Sequence, residues 1–506
     1  MMRKYWQHAI VHQALKSLGL GFCLLFCLCL QSSATHYFPI LQYYLLQEKF
    51  TSSYQGLWPA AKEGSDVALS TLARRASKNK DIYWLKKAAS LKSLHAQLTL
   101  SKLTKGDEQI FWWDQAGNNG HGPSQFELSL SARSTQQSMQ YLEKAAMNDH
   151  MPAIIALSKY YYEQNDASNA LKWLYKASQF DHTSIFRMAK ILWDQGKYEE
   201  ATEAFERASI NDYVANAYFD TIKNTPRQSL SILGQSSLAL SDQCSQQLQF
   251  VATSLDSAVQ ASTFKKQYEL DMSLNSLPIC IGPIIWLAEN ELMCRLVGHR
   301  KVCDLTRLAE VAFTPAYTHL VFFLNEGKGY VQNGIMYLDE ADTYTVFVHE
   351  LAHFVGFVDE YAVSSSLATQ YCNSSKAPNL VVGAKADFGE NKTFQMWQTY
   401  NQALLTSQDS TFNYSNVSDE ATPNHNKPIE ISQSSTCAAL DIKSYKPSNE
   451  LTFMQFHDIR LIPPLYLMMW QDLLKQHHQS IAVSQAFKLQ AQQNANETAF
   501  EHWARF

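Results

Sequence analysis

The segment TVFVHELAHFVGFVDEY, residues 345–361, gives the strongest indication of fold and function in this chain. Two of its histidines, His349 and His353, stand four positions apart. In a helix, side chains at positions i and i+4 lie on the same face, so these two imidazoles can bind one metal ion together. The segment therefore predicts a metal-binding helix.

The other polar residues of this segment extend the spacing to HExxHxxGxxD. Zinc accepts imidazole nitrogen and carboxylate oxygen, and a catalytic zinc has three protein ligands and an open position for water. Gly356 can end the helix with a positive φ, after which the chain can return Asp359 to the metal. Glu350 can take a proton from the water. The pattern predicts Zn²⁺ bound by His349, His353 and Asp359, with Glu350 as the catalytic base.

The apolar residues of the same segment indicate that its helix is buried. Buried polar groups need partners, so a buried HExxH should not remain without a metal ion. The apolar positions are Val346, Phe347, Leu351 and Phe354.

This motif resembles that of the metzincin metallopeptidases, whose third zinc ligand follows the glycine by three residues. This chain has Asp at that position and in this respect is similar to the snapalysins. The run Asp359-Glu360-Tyr361 resembles the motif ending of the IgA-peptidase-like metallopeptidases, which have one more residue before the Asp. The resemblance covers about residues 300–475. It implies peptide hydrolysis, with Gly356, Glu360 and Tyr361 as supporting residues.

The resemblance also implies a methionine turn beneath the metal, followed by a closing helix. Met454, in the run LTFMQFHD, is the best candidate for the turn, and the apolar run at 462–474 follows it. An edge strand around Gly329–Asn333 would align the substrate.

One position departs from the metzincin pattern. Several metzincins have a Tyr two residues after the methionine, where it steadies the oxyanion, whereas this chain has Phe456. Tyr361 and His457 are the two alternatives for that role.

A short phrase recurs between residues 80 and 225 and predicts stacked helix pairs. Its Lys-Ala or Arg-Ala step occurs four times, and the last two intervals are 32 and 31 residues. Such a period, with small residues at fixed places, is typical of helical repeats. The phrase resembles the Sel1-like branch of the tetratricopeptide family. Its copies are YWLKKAAS (83–90), YLEKAAMN (141–148), WLYKASQF (173–180) and AFERASIN (204–211).

The first interval of this series is longer, at 57 residues. It contains an aromatic, glycine-rich segment at 106–127, which we predict to be a loop that interrupts the repeats. The repeats either form a surface that binds a protein partner or the substrate, or only space the next domain.

The chain is therefore predicted to be multidomain, with an α-helical Sel1/TPR-like solenoid followed by an α+β metzincin-like catalytic domain. Two apolar runs, THLVFFL at 318–324 and NGIMYLD at 333–339, are predicted strands. The Ser- and Asn-rich stretch 362–450 is either a folded insertion or a cover for the cleft. The predicted segments are a helical segment at 35–80, repeats at 81–225, a helical connector at 226–264, the catalytic domain at 265–480 with its insertion at 362–450, and a tail at 481–506.

The N-terminus has the pattern of a secretory signal peptide. Basic residues precede an uncharged apolar run at 18–30, and small residues follow it up to Ala34. Residues 1–34 are thus a signal peptide or an uncleaved anchor, and the protein is expected in the periplasm or outside the cell. Six cysteines follow this segment, an even number that suggests disulfides, although buried free thiols are the alternative. Cys372 and Cys437 would brace the stretch at 362–450.

Composition excludes several classes of protein. Lys and Arg number 42 against 47 Asp and Glu, so no basic excess exists to bind nucleic acid. The mean hydropathy of −0.26 excludes a polytopic membrane protein. Membrane contact is expected only if the N-terminal segment remains as an anchor.

Two other functions are compatible with the sequence. One is a non-catalytic repeat protein with a structural zinc site. The other is a zinc amidase that acts on cell-wall peptide. Glu350 argues against the first, because a protein without catalysis does not need a base. No residue distinguishes peptide from cell-wall substrates.

Overall fold

A computed structural model gives the fold of the chain, which divides into two compact units between Asp212 and Tyr213. The predicted export segment, residues 1–34, lies outside the described residues, as does most of the predicted tail. The described residues are 54–229, 244–304, 317–373, 376–406, 429–476, 487–488 and 491–493.

The described part of the first unit is a series of helices joined by short turns. Helices adjacent in sequence pack against one another. Several begin at a Ser or Asp whose side chain accepts a hydrogen bond from the first turn, for example Ser65, Asp81 and Ser93. The helices are α1 Tyr54–Lys62, α2 Asp66–Lys78, α3 Ile82–Ser90, α4 Leu94–Leu103, α5 Asp107–Asn118, α6 Gly122–Ser131, α7 Thr135–Met147, α8 Met151–Glu163, α9 Ala167–Ala177, α10 His182–Asp194 and α11 Tyr198–Ser209.

The helices of this unit repeat in pairs, and the predicted interruption at 106–127 is wrong. That segment forms α5 and the start of α6, and only Asn119, Gly120 and His121 lie in the turn between them. The missing copy of the phrase is Ala116-Gly117 in α5, which stands where the other copies have Ala-Ala or Ala-Ser. The alanine at this position is fully buried in five alternate helices, where its small side chain lets helices approach closely: Ala88, Ala116, Ala145, Ala177 and Ala208.

A recurring hydrogen-bond pattern supports this assignment. Gln97 donates to the carbonyl of Ala89 and accepts from Asn119. One repeat later, Gln125 donates to the carbonyl of Gly117 and accepts from Asn148. A buried glutamine at the same repeat position thus links each repeat to the next. This places α5 and α6 in register with their neighbours.

The second unit is a mixed α/β region built on one large sheet. Its strand order is β2-β1-β6-β8-β7, and β3 also pairs with β1. All pairs are parallel except β7 with β8, which is antiparallel. Strands β6 and β8 confirm the two predicted strands. The strands of this sheet are β1 Gln246–Ala252, β2 Ile279–Ile281, β3 Ile285–Trp286, β6 His319–Phe323, β7 Tyr330–Gln332 and β8 Ile335–Leu338.

The prediction of a helical connector at 226–264 is wrong over residues 246–252, whereas residues 255–264 are helical. Residues 246–252 form β1, a fully buried central strand that pairs on both sides. Three of its seven residues are Gln, so the sequence lacks the apolar run by which a central strand is recognised. Pairing with β2 and β6 decides its conformation. The boundary between the units also lies one helix before the predicted end of the repeats, because α12, Tyr213–Asn224, belongs to the second unit.

Helices cover this sheet and complete its core. Phe487, from the predicted tail, is buried among residues of β6, β7 and β8. The apolar run at 462–474 forms a helix as predicted. The remaining helices are α13 Leu255–Leu270, α14 Glu289–Leu292, α15 Tyr344–His353, α16 Ser365–Asn373, α17 Lys392–Thr406 and α18 Pro464–Lys475.

The described part of the stretch 362–450 is a folded insertion, which was one of the two predicted alternatives. It contributes α16, α17 and a three-stranded antiparallel sheet. A small apolar cluster that includes Val358, Leu380 and Cys437 joins it to the end of the segment 345–361. The strands of the small sheet are β9 Val381–Val382, β10 Ser432–Ser434 and β11 Ser444–Lys446, and a separate hairpin consists of β4 Arg295–Val297 and β5 Arg300–Val302.

Three disulfides form in the second unit, including the one expected between α16 and the end of the insertion. Disulfides are typical of an oxidising compartment outside the cytoplasm. Among the described helices, none combines the length and apolar character needed to cross a membrane. The pairs are Cys244–Cys280, Cys294–Cys303 and Cys372–Cys437.

Candidate metal centre

Helix α15 carries three polar side chains that come together at its C-terminal end. His349, Glu350 and His353 each offer one ligand atom, and these atoms lie within 4.8 Å of one another. His349 and Glu350 are buried in spite of their polarity. The opposite positions of the helix are apolar, and Phe347 and Leu351 are fully buried. This group could hold a metal ion.

The chain turns back immediately after this helix. Gly356 has a φ of +91°, in the left-handed region that favours glycine. Its N–H donates to the carbonyl of His353 at 3.0 Å, and the N–H of Phe357 donates to that of Ala352 at 3.3 Å. The predicted glycine turn is confirmed, and it brings Asp359 beside the helix.

Asp359 lies against both imidazoles. Its Oδ1 is 3.1 Å from Nε2 of His349 and 3.4 Å from Nε2 of His353. The carboxylate is also buried. Three potential ligand atoms from three side chains therefore converge on one point.

Hydrogen bonds on the far side of each imidazole determine which nitrogen faces this point. Nδ1 of His349 lies 2.8 Å from the carbonyl oxygen of Phe453, and Nδ1 of His353 lies 2.8 Å from that of Phe357. A carbonyl oxygen only accepts, so each Nδ1 carries a proton and each Nε2 is the ring nitrogen that faces Asp359. An Nε2 beside a carboxylate either donates a proton to it or offers a lone pair to a cation, and this donor set fits a metal ion.

The electrostatics of the cluster also favour positive charge. Burial disfavours the charged form of His353, but the hydrogen bond with Asp359 and the charges of Glu350 and Asp359 outweigh it and raise the pKa of His353 to about 9. Burial acts to raise the pKa of the Asp359 carboxyl, but hydrogen bonds from His349 and His353 lower this pKa overall. A field that retains a proton on an imidazole also attracts a metal cation.

Tyr361 lies beside the cluster. Its ring is nearly parallel to the imidazole of His349, with the ring centres 6.4 Å apart. Burial, the charge of Asp359 and a hydrogen bond with it raise the pKa of the Tyr361 phenol, so it remains a protonated donor near neutral pH. Phe456 is half exposed, and His457 stacks on it. Of the two alternatives for the missing tyrosine, Tyr361 is the one that contacts a predicted ligand.

Met454, the residue predicted to form the methionine turn, lies against the segment 345–361. Its side chain is fully buried, and its carbonyl accepts a hydrogen bond from the N–H of Glu360 at 3.0 Å. The preceding carbonyl, that of Phe453, is the one that orients His349.

Glu360 points away from the imidazoles into a separate buried network. Burial raises the pKa of its carboxyl, and the hydrogen bonds that it accepts oppose this shift. The sequence did not indicate the partners, because nothing in their local spacing distinguishes them. They are Asn379, Lys446, Thr452 and Tyr466.

Searches against protein-family models and against curated proteins find no match to this chain.

The glycine turn can be tested by two matched substitutions. A Cβ on Gly356 would meet only Pro378 Cδ, at 3.9 Å, and a Cβ on Gly389 would meet nothing within 4 Å, but only Gly356 has a positive φ. We expect Gly356→Ala to lower the free energy of unfolding by about 1–2 kcal/mol and Gly389→Ala to change it by less than about 0.5 kcal/mol. Urea denaturation of both variants measures this difference. Equal stability of the two variants would contradict a turn that requires a positive φ at Gly356.

Proposed function

We propose that this chain is an exported, zinc-dependent metallopeptidase of the metzincin type. In this proposal His349, His353 and Asp359 hold the zinc ion, and Glu350 is the general base. The motif, its order relative to the strands and closing helix, and the buried cluster support the proposal. The disulfides support an extracytoplasmic location.

The main support for the proposal is the close approach of the three potential ligands, His349, His353 and Asp359. The bond from zinc to nitrogen or oxygen is about 2.0–2.1 Å, so two ligand atoms of a tetrahedral zinc ion are about 3.3 Å apart. Both imidazole nitrogens lie near that distance from Asp359 Oδ1, at 3.1 and 3.4 Å. These two distances therefore suit a small tetrahedral ion.

The remaining residues have separate roles in peptide hydrolysis. Bound zinc would polarise the scissile carbonyl and lower the pKa of water. The carboxylate of Glu350 accepts the proton of the attacking water and then delivers it to the leaving amine. The phenol of Tyr361 can donate a hydrogen bond to the negative oxygen that develops on the substrate.

The sheet offers a place for an extended substrate. Strand β7 is last in the strand order and pairs with β8 among the described residues. A peptide that pairs with such an edge gains backbone hydrogen bonds, and these do not depend on the side chains of the peptide. Residues 330–332 fall within the edge strand expected around Gly329–Asn333, and we propose that they align the peptide.

The helical repeats are proposed to bind a protein partner or the substrate. Tyr83 of α3 and Phe111 of α5 occupy the same repeat position, and their exposed fractions are 62% and 50%. Exposed aromatic residues at equivalent positions are typical of recognition surfaces.

The first test is metal analysis combined with a cleavage assay. The purified full chain should contain about one zinc ion per molecule. A chelator should abolish cleavage of an unfolded protein, and added zinc should restore it. Absence of zinc would overturn the proposal. Bound zinc without cleavage of protein or cell-wall peptide would indicate a structural site.

A further inference from the structure

We propose that Glu360 is a positioning residue of the metal centre. Its buried carboxylate would hold two of the ligands in place, Asp359 through the backbone and His349 through the turn at 452–454. This inference rests on the proposed zinc site and adds a residue that does not touch the metal.

The carboxylate of Glu360 is surrounded by donors. Oε1 accepts from Asn379 at 2.9 Å and from the Tyr466 hydroxyl at 2.6 Å. Oε2 accepts from the Thr452 hydroxyl and lies 3.8 Å from the ammonium of Lys446. All five residues are at most 2% exposed. A buried carboxylate is stable only with such partners, so this network has one preferred arrangement.

The network binds both ends of the turn that orients His349. The side chain of Glu360 accepts from Thr452, and its backbone N–H donates to the carbonyl of Met454. Between these two contacts lies the carbonyl of Phe453, which accepts the Nδ1–H of His349 at 2.8 Å. The position of this carbonyl sets the direction of the imidazole, so Glu360 controls the orientation of the first ligand.

Side chains of the insertion, one of which also donates to Glu360, hold the backbone that carries the third ligand. The carbonyl of Asp359 accepts from the Thr436 hydroxyl at 2.6 Å, and the carbonyl of Glu360 accepts from the Ser434 hydroxyl at 3.1 Å. The side chain of Asn379 binds both the N–H and the carbonyl of Val358 besides Glu360. The insertion therefore forms part of the support for the metal centre.

A purely stabilising role makes a different prediction from a positioning role. In the first case, variants of the network lower stability and leave the metal affinity of the folded protein unchanged. In the second, they lower metal affinity beyond any loss of stability. Partners that orient metal ligands typically contribute about 10–100-fold to metal affinity.

Two tyrosines of the second unit provide matched variants. Tyr466→Phe removes the hydroxyl that donates to Glu360, whereas Tyr268→Phe removes a buried hydroxyl that donates to the carbonyls of Leu274 and Ile279. Both rings stay in place. We measure zinc affinity of the full chain by competition with a chelator, and the absorption spectrum after Co²⁺ replaces zinc. Glu360→Gln is measured in the same way.

We expect Tyr466→Phe to lower zinc affinity about 10-fold and Glu360→Gln about 10–100-fold, with altered Co²⁺ spectra. Tyr268→Phe should match the wild type in both measurements. Wild-type affinity in Tyr466→Phe and Glu360→Gln would overturn the positioning role and leave the zinc site intact. If Glu360→Gln fails to fold, the comparison of Tyr466→Phe with Tyr268→Phe decides whether Glu360 has a positioning role. If the wild-type chain itself binds no zinc, the proposed function fails as well.

Discussion

Glu350→Gln should lower the turnover of peptide substrate by about 10²–10⁴-fold, the usual contribution of a general base. Glutamine has nearly the same shape as glutamate but cannot accept a proton at neutral pH. The zinc content should stay at the wild-type level, because His349, His353 and Asp359 are unchanged. Elemental analysis and a cleavage assay on the same preparation give both quantities.

The matched control for this variant is Glu269→Gln, which makes the same change on an exposed position of α13. It should retain wild-type turnover. Turnover in Glu350→Gln within about 10-fold of wild type would show that another group is the base. Loss of zinc together with turnover would instead indicate that Glu350 is a ligand.

Asp359→Asn should lower zinc affinity by well over 100-fold, beyond the range of about 10–100-fold for residues that only orient a ligand. The amide keeps the shape of the side chain but removes the negative charge and the good zinc donor. Oδ1 of Asp359 approaches both imidazole nitrogens, so its loss leaves two ligands. Competition with a chelator measures the change.

Asp342→Asn is the control, because Asp342 is a partly buried carboxylate just before the same helix. It accepts a hydrogen bond from the N–H of Asp339 at 2.8 Å. The zinc affinity of Asp342→Asn should remain near that of the wild type. Glu350 also lies within ligand distance of the two histidines. If Asp359→Asn keeps its zinc and Glu350→Gln loses it, the third ligand is Glu350 and the assigned roles are reversed.

Much of the candidate site follows from residues close together in sequence. The pairing of His349 with His353 depends only on helical periodicity, and the turn at Gly356 depends on the conformational freedom of one residue. Strands β6 and β8 and helix α18 were predicted because their apolar runs are local signals. The pairing of Cys372 with Cys437 was expected because the two cysteines nearly bracket one stretch.

Other features could not be predicted because they depend on distant contacts. Strand β1 has Gln at three of its seven positions, and its place in the sheet depends on pairing with Ile279–Ile281 and His319–Phe323. The segment at 106–127 has the composition of a loop, yet packing between neighbouring repeats makes most of it helical. In both segments, tertiary contacts override local propensity.

The sequence by itself determined the residue types of the candidate ligands, their helical spacing and the reversal of the chain after the helix, because these depend on the residues and the backbone geometry of one short segment. Only the tertiary structure decided what surrounds them. The partners of Glu360 come from positions 19, 92 and 106 residues away, and the carbonyl that orients His349 comes from 104 residues away. No sequence period connects such positions. They meet because the fold buries a carboxylate, and a buried carboxylate must find its donors wherever the chain brings them.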